Sequence, residues 1–397
     1  VTISAETAEM EPNWSRDEIL NLFNTVASIE NLLFVHLEYT VGRLPISLLT
    51  AILRQRRSSL KVFSMEHVRI QGEKAEYFKF YAELKKLSNL KEFHFSRVDL
   101  YNADLEDDEP VENLWEALSK LESLNWLKIA NTDWEETTIM GEMPSFPALA
   151  KLCQLPQIRV LNLGKFNLCN DQFLAVATAL REKQGLLELD LEFTDSLDVT
   201  SSWPLIILTD MLQDSCSLQR IQLGCSEVSP ALSNHLLVGM ANSIARNKYS
   251  AIRRIEVDIH GAFHPVVAKA FLDMLKFNYT LEELIVTFSL SEDRFAYNGQ
   301  GTVWEAVRFY VALNRRGRKK LIEQSPQMSK AQWINVLSQF SQEVEFLHYY
   351  LTMNPWLFHC QSPAQNRPFP STNSTPTRSN DQLAYLSHLF SEQMQGM

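Results

Sequence analysis

One short pattern constrains this chain more than anything else in it: apolar-x-x-apolar-x-apolar recurs nine times between Leu32 and Val286. Its apolar triplets are Leu32, Val35, Leu37; Leu60, Phe63, Met65; Leu90, Phe93, Phe95; Leu124, Leu127, Ile129; Ile158, Leu161, Leu163; Leu186, Leu189, Leu191; Leu218, Ile221, Leu223; Ile252, Ile255, Val257; and Leu281, Leu284, Val286. Successive triplets start 28 to 34 residues apart. A period of that length marks the stacking of one supersecondary unit.

Within each unit the x-apolar-x-apolar-x segment has the period of two expected of a strand with one buried face. Most of these strands follow a stretch of helical period, as in residues 47–57, 78–87, 111–121, 171–181 and 266–277. A single helix-strand unit cannot cover its own apolar face, whereas a stack of them buries one continuous core. The expectation is an α/β solenoid, a right-handed horseshoe with nine parallel strands on the concave side and helices outside. A doubly wound α/β domain also alternates strand and helix, but its strands are buried on both faces and read as unbroken apolar runs. With 12 glycines the chain contains neither G-x-G-x-x-G nor G-x-x-x-x-G-K-[ST], the phosphate loops such a domain would carry.

The helix-then-LxxLxL unit resembles the ribonuclease-inhibitor class of leucine-rich repeats over residues 18–290. Beyond it, Phe309-Tyr310-Val311-Ala312-Leu313-Asn314-Arg315-Arg316-Gly317-Arg318, followed by Trp333 and the Met353-Asn354-Pro355 turn, is similar to the C-terminal block of ribonuclease-inhibitor-like proteins of diatoms. The resemblance implies a horseshoe and a tail, and no activity. Two departures stand out: the asparagine usual after the strand is mostly absent, and residues 101–109 and 133–144 are inserted.

Residues 1–17 are polar and aperiodic and read as a flexible leader, with the solenoid spanning 18–300. Residues 302–321 and 329–359 read as helices of a C-terminal cap, 301–360, closing the last repeat. Residues 361–381, rich in Pro, Ser, Thr and Asn, read as a disordered linker. In the segment after it, Leu383, Leu386, Leu389 and Phe390 share one helical face, either for a partner or for the chain's own domain.

The formal charge is −11, from 48 acidic and 37 basic side chains, and it argues against a nucleic-acid or anionic-membrane surface. Five cysteines, at 153, 169, 216, 225 and 360, form no Cys-x-x-Cys pair. They read as reduced thiols of a cytoplasmic or nuclear protein. No cofactor or metal site is expected, and no apolar run is long enough for a membrane-spanning helix. The start at Val1 rather than Met reads as a trimmed N-terminus.

The residues flanking the inner apolar positions of each strand must point away from the core. These positions hold nine acids, Glu38, Glu66, Glu92, Glu188, Asp190, Glu192, Glu256, Asp258 and Glu283, against Lys128, Arg220 and Arg254. Glu188, Asp190 and Glu192 project from one strand, where repulsion calls for an opposing cation or basic partner. Phe34 and Trp126 on the same face are candidate apolar anchors. His36 and His94 also fall there, while His260 and His264 fall in a loop and read as surface or capping residues. The run Arg315-Arg316-Gly317-Arg318-Lys319-Lys320 reads as a solvated helix end, with a nuclear-localisation patch as the alternative.

No nucleophile-base or carboxylate-pair arrangement falls on neighbouring elements. The expected role is therefore a monomeric, non-catalytic scaffold for a basic or mixed-charge protein, held through Phe34, Trp126, Glu188, Asp190, Glu192, Arg220, Arg254, Glu256, Asp258 and Glu283. Two alternatives remain open: an enzyme regulator such as a GTPase-activating leucine-rich-repeat protein, and the recognition part of a larger adaptor or receptor.

Overall fold

Each apolar triplet becomes a strand and each preceding amphipathic stretch a helix in the computed structural model of the chain. The structure describes residues 2–4, 16–38, 43–101, 109–130, 147–164, 170–192, 203–225, 229–260, 264–289 and 301–358. In chain order the strands are β1 (Thr2–Ser4), β2 (Phe34–Glu38), β3 (Arg43–Pro45), β4 (Val62–Glu66), β5 (Arg69–Gln71), β6 (Glu92–Ser96), β7 (Asp99–Tyr101), β8 (Trp126–Ala130), β9 (Val160–Leu163), β10 (Glu188–Glu192), β11 (Arg220–Cys225), β12 (Arg254–His260) and β13 (Glu283–Ser289). Ten of them form one sheet in the order β1-β2-β4-β6-β8-β9-β10-β11-β12-β13, and every pair is parallel.

The tenth strand is β1, which pairs with β2 from within the segment read as a leader. Three residues are too few to show an alternation, so the sequence reading passes over it.

Helices α1 (Arg16–Ser28), α2 (Ile46–Gln55), α3 (Lys74–Leu84), α4 (Glu109–Leu118), α5 (Pro147–Gln154), α6 (Asn170–Glu182), α7 (Trp203–Asp214), α8 (Pro230–Arg246) and α9 (Pro265–Phe277) each pack on the next along one face of the sheet. In α8 the buried apolar residues Leu232, Leu236, Leu237, Met240 and Ile244 recur at helical spacing. Ser229 caps that helix and Pro230 opens it. His264 caps α9 through Nδ1, 3.3 Å from the Val266 amide, and Pro265 opens that helix. Both helices thus combine an accepting side chain with a first residue that lacks a donor to satisfy.

The strands are in register, so that Leu161, Leu189, Ile221, Ile255 and Leu284 lie side by side. All triplet residues are buried except Leu284 and Val286, which are only half covered. Their strand, β13, has a sheet neighbour on one side only.

A second parallel sheet, β3-β5-β7, accompanies the first repeats and was not foreseen. The chain climbs into it through His67 and Arg97, whose φ values of 55° and 53° are left-handed. Such a backbone costs a non-glycine residue roughly 1–3 kcal/mol. In return, the amide of His67 reaches the Ser96 carbonyl at 2.9 Å and that of Arg97 the Ala130 carbonyl at 2.8 Å, which extends the main ladder by one bond.

Successive repeats are also stitched by polar side chains where each helix turns into its strand. Asn89 donates to the Ser58 carbonyl, Ser123 to Ser88, Gln157 to Leu121 and Ser217 to Leu186. Asn247 then reaches both Leu212 and Ser215, and Asn314 both Asn278 and Leu281. These bonds give carbonyls of one unit a side-chain partner from the next.

The C-terminal block contains α10 (Gly301–Arg315), α11 (Arg318–Gln324), α12 (Lys330–Gln339) and α13 (Val344–Met353). Helix α10 packs on α9 and β13. A separate small core forms around Leu313, Trp333, Phe340, Phe346 and Tyr350. The single helix read over 302–321 is broken at Gly317, which is left-handed at φ 82°. Its amide bonds to the Asn314 carbonyl at 2.9 Å, closing α10 as C-terminal glycines do.

The basic run around Gly317 is a solvated helix end at Arg315, Arg316, Lys319 and Lys320, which are exposed, but not at Arg318. Arg318 is 3% exposed. Its guanidinium donates to the Leu275 carbonyl at 2.8 Å and the Lys276 carbonyl at 3.3 Å, capping the end of α9. It lies 4.6 Å from the ring centres of both Tyr279 and Tyr310. Arg316 pairs with Glu343 at 2.9 Å. Helix-dipole complementarity holds here, but it acts on the preceding helix and from inside the core.

Candidate functional site

The face of the main sheet opposite the helices carries the flanking residues of every triplet, because alternate strand residues point to opposite sides. In-register pairing sorts them into rows. The first row runs Phe34, Val62, Glu92, Trp126, Val160, Glu188, Arg220, Arg254, Glu283, one residue per strand. The middle row runs His36, Ser64, His94, Lys128, Asn162, Asp190, Gln222, Glu256, Ile285. At the carboxyl ends of the strands lie Glu38 and Glu66 side by side, then Glu192 and Asp258 beyond small residues such as Ser96 and Gly224.

Every residue named as a candidate site therefore lies on this one face, each exposed or half-buried. Phe34 and Trp126 are the most open of them, at 51% and 39%. The expectation that all flanking positions face solvent fails at Ser64, Ser96, Ala130 and Gly164, which are buried. Small residues there are overlapped by longer neighbours.

The carboxyl-terminal half of the face, β10 to β13, is a network of alternating charge. Arg220 stands 3.9 Å from Glu188 and 3.5 Å from Glu256. Arg254 bonds to Glu256 at 2.9 Å and to Glu283 at 3.0 Å, and these bonds raise its own pKa. Thr287 donates to Asp258 at 3.1 Å. The repulsion anticipated within β10 is relieved in part by the chain's own Arg220 on the next strand, which stands beside Glu188.

Asp190 is held from the other side, by the Asn162 amide at 2.6 Å, while Asn162 Oδ1 accepts the Gly164 amide at 3.0 Å. Burial, with Glu192 and Glu256 nearby, pushes the Asp190 carboxyl up to about 6. Sequence reasoning missed Asn162 because it is uncharged. Its place in the triplet register, opposite Asp190, was the available signal.

The amino-terminal half, β2 to β9, is apolar and aromatic in its first row apart from Glu92, which stands between Val62 and Trp126. His36 Nδ1 lies 2.9 Å from Ser64 Oγ, a hydrogen bond. The His94 ring centre is 5.0 Å from that of Trp126. Burial, with Lys128 and His36 alongside, lowers the His94 pKa to about 4, against an opposing pull from Glu66. At neutral pH the indole thus rests on an uncharged ring.

Among the described residues, no group of three or more His, Cys, Asp or Glu is placed to hold a metal. No described helix is long and apolar enough to cross a membrane. The Cys153 and Cys225 thiols are buried, and burial raises both to about 12, which makes them poor nucleophiles.

A parallel sheet of strand-helix repeats with one open face defines a leucine-rich-repeat-like α/β fold. No protein-family model matches the chain, and no curated protein matches it. Among solved structures it is similar to actin-binding site 2 of leiomodin-1, at 15% identity over 47% of this chain and 100% of that one, with a TM-score of 0.32. It is also similar to the tropomodulin C-terminal domain of Caenorhabditis elegans, at 16% identity over 60% of this chain and 96% of that one, with a TM-score of 0.23. Overlaps this partial carry no partner across to this chain.

Proposed function

We propose that the chain is a non-catalytic, monomeric scaffold of the ribonuclease-inhibitor-like leucine-rich-repeat class that holds a basic or mixed-charge protein on the open face of its sheet. The observation that carries this reading is the face itself. Ten parallel strands align their outward residues in rows, acids outnumber bases there, and Phe34 and Trp126 stand exposed among them. A right-handed coil is the hand of about 98% of parallel strand-helix-strand crossovers, and helices wider than strands bend such a stack with the sheet inside. Reduced, buried thiols favour a cytoplasmic or nuclear setting. The enzyme-regulator alternative asks for a projecting arginine, and Arg220 and Arg254 are both engaged with carboxylates.

Affinity purification from lysate at low and high salt, with wild-type chain and a Glu188→Gln, Asp190→Asn, Glu192→Gln variant, tests the reading. The wild type should retain a protein partner in a salt-sensitive way, since steering acts between opposite charges, and the variant should retain less. A wild-type chain that retains no partner, or holds it equally well at low and high salt, overturns it; equal recovery by the variant moves the grip away from β10.

A further inference from the structure

Resting on that reading, we infer that the partner is gripped mainly by the amino-terminal half of the face: an amphipathic segment lies across the strands, its apolar end on Trp126 and Val160 and its basic end toward Glu38 and Glu66. The carboxyl-terminal half offers more charge, six acids against two arginines, but most of those acids are already engaged, Asp190 by Asn162 and Asp258 by Thr287. Glu188, Glu256 and Glu283 share Arg220 and Arg254, so a basic partner there exchanges existing ion pairs for new ones and gains little. The amino-terminal half holds instead an exposed indole at its centre, beside Val160 in the next strand. A large aromatic flanked by half-buried neighbours is the usual core of a binding hot spot.

The charges on this half also have a direction. Lys128 sits two residues beyond Trp126 on β8, whereas the acids lie toward the other edge, Glu92 on β6 beside Trp126 and Glu38 and Glu66 at the carboxyl ends of β2 and β4. A cationic side chain is therefore repelled near β8 and attracted near β2 and β4. From β8 to β2 is three strand spacings, about 14 Å, a length that four or five extended residues or about nine helical ones span. The uncharged His94 ring beneath Trp126 leaves the indole free of a competing cation at neutral pH.

Two synthetic twelve-residue peptides probe this on the full chain: one with a Leu/Trp-rich end and a Lys/Arg-rich end, the other with Glu in place of the basic residues. The basic peptide should bind and the acidic one should not. Trp126→Ala should weaken binding about tenfold or more, as hot-spot truncations do, with Trp126→Phe restoring part of it. Glu38→Gln with Glu66→Gln should weaken it less and remove most of its salt dependence, while Glu256→Gln with Asp258→Asn should leave it within about twofold. Each variant's melting curve confirms folding. Failure of the basic peptide to bind, unchanged affinity in Trp126→Ala, or loss confined to the Glu256/Asp258 variant overturns the inference. The broader scaffold reading would still stand if a lysate partner depended on Glu188, Asp190 and Glu192.

Discussion

The two halves of the open face are built on one repeat and handle exposure in opposite ways. From β10 to β13 the chain lays down carboxylates and answers three of them with arginines on the same or the adjacent strand. From β2 to β9 it leaves rings and aliphatic chains facing out, with His94 kept neutral beneath Trp126. The cores behind them differ in step. Phe63 and Phe93 stack at 6.0 Å and Phe93 and Phe95 approach to 4.3 Å under the first half, whereas Leu189, Ile221 and Ile255 fill the second. One half engages most of its polar groups within itself, and the other gains most from something laid on it.

The largest expected effect lies in those cores. Phe93→Ala should cost about 3–5 kcal/mol of unfolding free energy, and Ile255→Val about 0.5–1.5 kcal/mol. Urea unfolding followed by circular dichroism measures both. Equal losses would erase the distinction between an aromatic and an aliphatic half.

Next comes a pH response of opposite sign in the two halves. His94 has its folded pKa lowered to about 4, so between the unfolded value of about 6.5 and that point the unfolded chain binds more protons, and stability falls with acidification. Asp190 has its folded pKa raised to about 6. Between there and the unfolded value of about 3.9 the folded chain binds more protons, and stability rises with acidification. Each contribution is on the order of 2 kcal/mol at full titration. Melting temperatures from pH 7 to 4 should therefore drop less steeply in His94→Gln than in wild type and more steeply in Asp190→Asn. The same slope in all three proteins would remove both groups from the account.

The smallest effects concern the surface itself. Arg254→Met breaks two half-exposed ion pairs and should cost about 1 kcal/mol, whereas Trp126→Ala should stay within about 0.5 kcal/mol. If Trp126→Ala proved the costlier change, the exposed indole would be serving the fold rather than a partner.

Much of this was legible in the sequence, because a period of two inside a period of about thirty specifies both strand and register. Leu189 and Leu191 are buried while Glu188 and Glu192 face out, as the pattern requires. Short strands escaped: β1 and the β3-β5-β7 ribbon have three residues each, too few for any alternation, and the ribbon depends on left-handed His67 and Arg97, residue types that rarely signal such a turn. The face was found, but its internal balance was not. Charges counted along a chain do not show that Arg220 lies between Glu188 and Glu256. Arg318 was misjudged for the same reason, since its partners, Leu275 and Lys276, come from the preceding repeat.

The polar stitching between repeats has an orientation that the packing lacks. In Asn89, Ser123, Gln157, Ser217, Asn247 and Asn314 the donor belongs to the later repeat and the acceptor is a carbonyl of the earlier one. A chain emerging amino end first thus presents finished acceptors to each of these six side chains, although the amides of His67 and Arg97 wait for the repeat that follows. Assembly has a grain, and it runs in the direction of synthesis.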